Sequence, residues 1–280
     1  MDIEDRDIKI FQETISDCSS YDFTDYSVNS LKRRISKVLE EYTTDFYSLI
    51  IRMRKDPEFI EELVRHITVN TTELFRDPAV WKKLLYNVLP RYNQLSSINI
   101  WHPGCSTGQE VYSMMILLDH IGLLDKCIIY ASDINSDVLK VAEKGVYRYR
   151  FNKEYINNFK EVFSSVGNVP ETKTYFKVDE TKDLIIMQDF LRKKPVYTKF
   201  DLAKDKNISN IKFDIIICRN VIIYFNYELQ NRVLNMFRGN LHSNGCLLLG
   251  LHESIIGPYS SSYIKDGQFY FKKDVSGNEY

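Results

Sequence analysis

The run Ile98–Ser113, INIWHPGCSTGQEVYS, decides how the rest of the chain is read. A short apolar segment breaks into a turn of small residues and then into a helical pattern, which is the order strand, glycine turn, helix N-terminus. Gly104 and Gly108 can take positive φ and let a ligand come against bare backbone, while the residues between them expose N–H groups at the start of the helix. Such a turn suits an adenosine-containing ligand. It is not the GxGxxG of dinucleotide binders, and it lacks the lysine of a phosphate-binding loop. Taken alone it also fits plain helix–strand packing. The next apolar run, CIIYASDI, ends in Asp133 about one βαβ unit downstream, where an acid can accept from both hydroxyls of a ribose. The helix opened by the turn is expected to be amphipathic.

Working outward, the pattern from Ile98 onward is α/β: INIW, CIIYASDI, a helix SDVLKVAEKG closed by Gly145, FDIIICRN, a helix from Tyr227 to Leu241, the turn SNG and the strand CLLLGLH. Short, almost uniformly apolar strands alternating with helices predict a parallel sheet covered on both faces. A final run, QFYFKK, follows a glycine turn and is expected as an antiparallel edge strand. Between Gly145 and Phe213 the alternation is broken for longer than any ordinary loop. That piece holds TYFKV and KDLIIMQDFLRKKPVYTKFDL, which predict an inserted helix and a small antiparallel subdomain returning to the sheet through VYTKFDL. Ahead of the sheet, Leu31, Ile35, Val38 and Leu39, then Phe46, Leu49, Ile50 and Met53, recur at helical spacing. Asp56-Pro57 and Asp77-Pro78 each read as an N-cap followed by proline in the first helical turn. The expected division is an N-terminal helical domain, residues 1–92 with helices from about residue 27, and an α/β domain, 93–280, carrying the inserted β-subdomain at about 165–199.

Composition narrows the partners. With 44% hydrophobic and 27% charged residues and a net charge of −1, the 280-residue chain offers no global case for nucleic acid or a membrane surface. The five cysteines, Cys18, Cys105, Cys127, Cys218 and Cys246, are scattered without CxxC spacing, which argues for reduced thiols and against zinc. No basic-then-apolar leader and no apolar run near the roughly 20 residues a bilayer needs is present. A cytoplasmic protein without direct membrane insertion is expected.

ITVNTTELFRDP, IWHPGCSTGQEVYSMMILL, YASDINSDVLKVAEKGVY, FDIIICRNVIIYF and GCLLLGLHES, in this order and spacing, resemble the chemotaxis receptor methyltransferases of the CheR family, from about Ser27 to the C-terminus. The resemblance implies a Rossmann-like sheet with a reversed last strand, and S-adenosyl-L-methionine as cofactor with S-adenosyl-L-homocysteine as product. It implies methyl esterification of glutamate side chains on the cytoplasmic helices of methyl-accepting chemotaxis receptors, the chemistry of chemotactic adaptation. Carried onto this sequence, Asn70, Thr72 and Arg76 would reach the cofactor from the helical side. Gly104 lies in its turn, Glu110 would meet its ammonium group, and Asp133 would hold its ribose. Asp201 and Leu202 would flank the adenine, although the family commonly has Asn-Leu there. Arg219 and Asn220 would sit near the sulfonium, and Arg76 and Tyr224 would flank the transferred methyl group. His102, where the family usually has a small residue, receives no role. Lys32, Arg33 and Lys37 in LKRRISK would dock Glu-rich receptor helices. No metal is implied.

Each residue also has a local explanation: helix caps for Asn70 and Thr72, surface ion pairs for Arg76 and Glu110, an Arg76–Asp77 salt bridge, a core aromatic for Tyr224, a solvated face for the basic run. Two other functions stand beside the first. One is a non-catalytic component of receptor arrays; the other is a methyltransferase of the same fold with a different acceptor, such as nucleic acid, which the pI of about 6.5 and the lack of an aromatic–basic stripe disfavour.

Overall fold

The computed structural model describes residues 3–68, 72–164, 169–205, 208 and 211–273. Among these residues four helices form the N-terminal domain: α1 (Asp5–Cys18), α2 (Val28–Glu41), α3 (Phe46–Lys55) and α4 (Pro57–Ile67). α1 lies ahead of the residue-27 start expected for the helices; Ile8, Phe11 and Ile15 bury one of its faces in the core formed by Leu31, Ile35, Leu49 and Leu63. Asp56 caps α4 as expected, accepting the Phe59 N–H at 3.1 Å. Asp77 precedes Pro78 of α5 (Pro78–Lys83) but makes no capping hydrogen bond, because its backbone is left-handed (φ +59°) and its carboxylate is turned to Arg219.

Among the described residues seven strands form the main sheet. β1 (Ile98–Pro103), α6 (Gln109–His120) and β2 (Cys127–Asp133) follow one another, and α7 (Ser136–Lys144) is closed by Gly145 in the left-handed conformation. The insertion supplies β3 (Val146–Arg148), α8 (Glu154–Phe163), β4 (Phe176–Asp179) and β5 (Leu184–Met187), with a small antiparallel sheet in the order β3-β5-β4. α9 (Asp189–Arg192) then leads to β6 (Val196–Lys199), followed by β7 (Phe213–Cys218), α10 (Tyr227–Asn240), β8 (Leu241–Leu249), β9 (Tyr263–Asp266) and β10 (Phe269–Lys272). The main order is β6-β2-β1-β7-β8-β10-β9, parallel through β8 and antiparallel beyond it.

Several details differ from the sequence expectations. The small sheet takes its first strand from before residue 165, while Val196–Lys199 pairs with β2, the expected return to the main sheet through VYTKFDL, so the subdomain ends short of residue 199. QFYFKK is not the edge: β10 is paired on both sides, which matches the burial of Phe269, Tyr270 and Phe271 in succession, and β9 is the edge. SNG falls inside the β8 span, where Asn244 has φ +62° and the register against β7 shifts. α6 is not amphipathic. From Val111 to Leu118 every residue is buried, as befits a helix apolar on all sides. One layer against it is the sheet and the other is the insertion, whose Tyr147, Tyr155 and Phe159 share its core. Among the described residues no helix is long and apolar enough to cross a membrane.

Candidate active site

Parallel strands deliver their following residues to one edge of the sheet, and β1, between β2 and β7, is where the order of connection reverses, the place where open α/β sheets leave a crevice. After β1 comes Gly104, with φ +71°; a Cβ there would lie 2.5 Å from Val221 Cγ2, so both conformation and space require glycine. β2 ends on Asp133, whose buried carboxylate accepts the Ser106 N–H at 2.9 Å and the Asn135 N–H at 3.0 Å. Burial pushes this carboxyl above the usual aspartate range, against the pull of those backbone N–H groups. After β6 come Asp201 and Leu202. Asp201, also raised by burial, accepts the Ala203 N–H at 2.8 Å. After β7 come Arg219, Asn220 and Val221.

These ends and the helical domain border a cleft open to solvent, about 690 Å³ with its mouth included, that is lined by Gly104, Asp133, Asp201, Leu202, Asn220 and Tyr224. A second compartment of about 450 Å³ contains Thr72, Arg76, Glu110 and Arg219. Gly104, Asn220 and Val221 line both and form the partition between them. Arg76 and Tyr224, expected on either side of one methyl group, therefore stand in adjoining compartments. Asn70 lies outside the described residues.

An ion network fixes the second compartment. The Arg219 side chain, 1% exposed, donates to Asp77 Oδ2 at 2.6 Å, to the Arg76 carbonyl at 3.1 Å and to Glu110 Oε2 at 3.3 Å. Asp77 is thus given to Arg219 and not to Arg76, and among the described residues no hydrogen bond or ion pair occupies the Arg76 guanidinium. Arg76 stands between Phe75 (φ +55°) and Asp77 (φ +59°), while Ser106 and Asn220 have φ of +52° and +59°. Four of the seven described non-glycine residues with positive φ therefore belong to these loops, the kind of backbone strain that persists only where surroundings over-determine it. Here they do: Ser113 Oγ accepts the Phe75 N–H at 2.7 Å, Asn158 of α8 donates to the Leu74 carbonyl at 3.1 Å, and the Phe75 ring packs on Phe159 and Phe163.

Sequence reasoning missed four participants. His102 is fully buried, its Nδ1 3.4 Å from Glu110 Oε1. Glu253 accepts backbone N–H groups of the loop after β7. Arg34 and Tyr26 line the larger compartment from the helical domain. Arg34 had a signal, since it lies three residues from Leu31 and beside Ile35 on the buried side of α2. The basic face expected on that helix is partly neutralised: Lys32 pairs with Asp5 at 2.7 Å, Lys37 lies 3.5 Å from Glu41, and Arg33 is exposed.

An adenosine-bearing cation fits this pair of compartments. The larger one joins aromatic and aliphatic walls to the buried carboxylate of Asp133 and the partly buried one of Asp201. In the smaller one the Glu110 carboxylate, held by Arg219, lines the wall with Glu73 and can meet a ligand's ammonium. Comparison with known proteins agrees. Residues 70–265 match the SAM-binding domain of the CheR methyltransferases, and residues 6–68 match the all-alpha domain of the same enzymes. The Cher3 protein of Pseudomonas putida is 36% identical over 252 residues, covering 90% of this chain and 89% of its own. The chemotaxis protein methyltransferase of Vibrio parahaemolyticus is 30% identical, covering 91% and 90%, and that of Listeria innocua is 27% identical, covering 96% and 98%. With both domain matches in register with the two halves of the fold, the chain belongs to the CheR family of S-adenosyl-L-methionine-dependent methyltransferases.

Proposed function

We propose that this protein methylates glutamate side chains on the cytoplasmic helices of chemoreceptors, giving glutamyl methyl esters. The observation that carries the proposal is the two-compartment cleft with Arg76, whose guanidinium has no hydrogen bond or ion pair among the described residues, in the compartment next to the partition. Relatives of matching length bear the name chemotaxis protein methyltransferase. When bound, S-adenosyl-L-methionine supplies an electrophilic methyl group on a sulfonium. A glutamate acceptor is already ionised at neutral pH, so no side chain has to remove a proton. What remains for the protein is to hold and align the groups and to exclude water, worth several kcal/mol of barrier. Asp133 is suited to accept from the ribose hydroxyls, Asp201 and Leu202 to border the adenine, and Glu110, kept in place by Arg219, to meet the ammonium group. Thr72 and Arg219 complete the polar end of the cofactor site. Asn220 lies at the partition, Arg76 orients the incoming carboxylate through its planar fork of donors, and Tyr224 closes the opposite side. Lys32, Arg33 and Lys37 supply the docking face.

Label transfer tests the proposal. Isolated receptor membranes incubated with the protein and methyl-labelled cofactor should take up label that mild base releases as methanol. Base-stable label, or label in another macromolecule, would replace glutamate esterification by a different acceptor. Cofactor binding without any transfer would leave only the array-component function.

A further inference from the structure

The segment GLHES, Gly250–Ser254, follows β8 and contributes no side chain to the walls of either compartment, yet it holds a buried charge. The chain turns at Gly250, whose carbonyl accepts the Glu253 N–H at 3.1 Å, and sends the Glu253 side chain back beneath the loop that follows β7. Its two oxygens accept four backbone N–H groups. Oε2 takes Asn220 at 2.8 Å and Gly250 at 2.7 Å; Oε1 takes Val221 at 2.9 Å and Ile223 at 3.3 Å. Three of these donors belong to the loop that places Asn220 and Val221 at the partition and Tyr224 in the larger compartment. Asn220 is held there at φ +59°. Glu253 itself is 8% exposed, and no ion pair is formed by it among the described residues. A buried carboxylate with only N–H partners is costly unless each is well placed, and such charge-assisted bonds are about twice as strong as neutral ones. Gly250 leaves the space: a Cβ there would stand 2.7 Å from Glu253 Oε2 and 3.0 Å from the Asn220 nitrogen.

We propose that Glu253 is the positioning residue that fixes the loop after β7, and through it Asn220 and Tyr224, in the geometry needed for methyl transfer. It touches neither cofactor nor acceptor. The role rests on the function proposed above. A glutamine of the same shape has one oxygen and one NH2, so either Val221 and Ile223 or Asn220 and Gly250 would face a donor and lose their acceptor. Asp133, at the end of β2, and Glu110, on α6, would be undisturbed.

Two full-length variants test it, Glu253→Gln and Gly250→Ala, the second displacing the carboxylate without changing its chemistry. Three quantities are measured: single-turnover methyl transfer to receptor membranes, S-adenosyl-L-homocysteine affinity by calorimetry, and hydrogen exchange of the 220–224 amides. The expected result is a rate lower by about 100-fold, the scale of a misplacement of about 1 Å, with affinity within about threefold and faster exchange confined to the loop. Rate and affinity falling together, in step with the melting temperature, would make Glu253 merely structural and overturn the proposal. Unchanged exchange in both variants would overturn it as well. That readout needs no acceptor, so it still decides the role of Glu253 if the receptor proves not to be the substrate.

Discussion

Arg76 brings its charge to the cleft between two left-handed residues, and the acid beside it in sequence is engaged by Arg219. A side chain held this way exerts its effect mainly when an anion arrives, so turnover should suffer more than cofactor binding. Arg76→Ala is expected to slow single-turnover methylation by at least about 100-fold, the scale of losing a positioned donor, with the melting temperature little changed. Arg76→Lys should restore little, because a point charge does not reproduce the fork. A fully active Arg76→Ala enzyme would remove Arg76 from the chemistry. Asp133 has two duties, accepting from the glycine-turn backbone and facing the cleft. Its folded-state carboxyl is raised by burial, so its contribution to stability is full below the ordinary aspartate value and is lost as pH rises through the raised one. Ribose hydroxyls need the ionised form, so S-adenosyl-L-homocysteine affinity should instead weaken as pH falls through that raised value. Asp133→Asn should abolish both trends and weaken binding, each charge-assisted bond being worth roughly 1.5–3 kcal/mol. Calorimetric titrations across pH on both proteins check this; an unaltered pH profile in the variant would exclude Asp133.

Two helices carry further expectations. On α2, Lys32 and Lys37 have carboxylate neighbours from the same chain, so the docking charge rests most heavily on Arg33. Arg33→Glu with Lys37→Glu should lower receptor methylation about tenfold at low salt, as reversal of a steering charge does, and leave S-adenosyl-L-homocysteine affinity alone. Equal loss of both activities would mark the helix as structural. α8, from the insertion, clamps the Arg76 segment through Asn158 and through Phe159 against Phe75. Phe159→Ala should cost about 3–5 kcal/mol of stability, as for other buried phenylalanines. At a temperature where the variant stays folded it should also methylate more slowly, because the left-handed pair around Arg76 loses its support. A stable variant with full activity would mean that the clamp is idle.

At the scale of the whole molecule, the helical domain and the sheet domain close one cleft between them. The Tyr26 ring lies 5.1 Å from that of Phe225, the Ser27 N–H donates to the Tyr224 carbonyl at 2.9 Å, and Arg232 pairs with Asp25 at 2.7 Å. Ligand binding should therefore stabilise both domains together. S-adenosyl-L-homocysteine at 100 times its Kd is expected to add about 2.7 kcal/mol, seen in scanning calorimetry as the upward shift of a single transition. A helical domain that melted separately, at an unshifted temperature, would not belong to the site.

What the sequence determined by itself was whatever depends on near neighbours in the chain. Apolar runs of strand length, the Asp56-Pro57 cap, the glycine at the end of α7 and the break between Gly145 and Phe213 follow from local conformational preference and periodicity. With them came the strand-end positions of Gly104, Asp133, Asp201 and Asn220, because a parallel α/β sheet sends all such ends to one side. Pairing was less legible. β10 reads like an edge strand, and only its pairing with β8 on one side and β9 on the other makes it internal; α6 reads as amphipathic, and only the insertion packed against it explains why it is apolar all round. Least legible were the partners of charged groups. Asp77 beside a proline has the form of a cap, yet Arg219, 142 residues away, takes its carboxylate. Glu253 binds a loop 30 or more residues earlier, and Arg34 reaches the cleft from a helix whose neighbouring cations face solvent. A buried charge is placed by whatever satisfies it in three dimensions, and that partner is chosen by the tertiary structure rather than by sequence spacing.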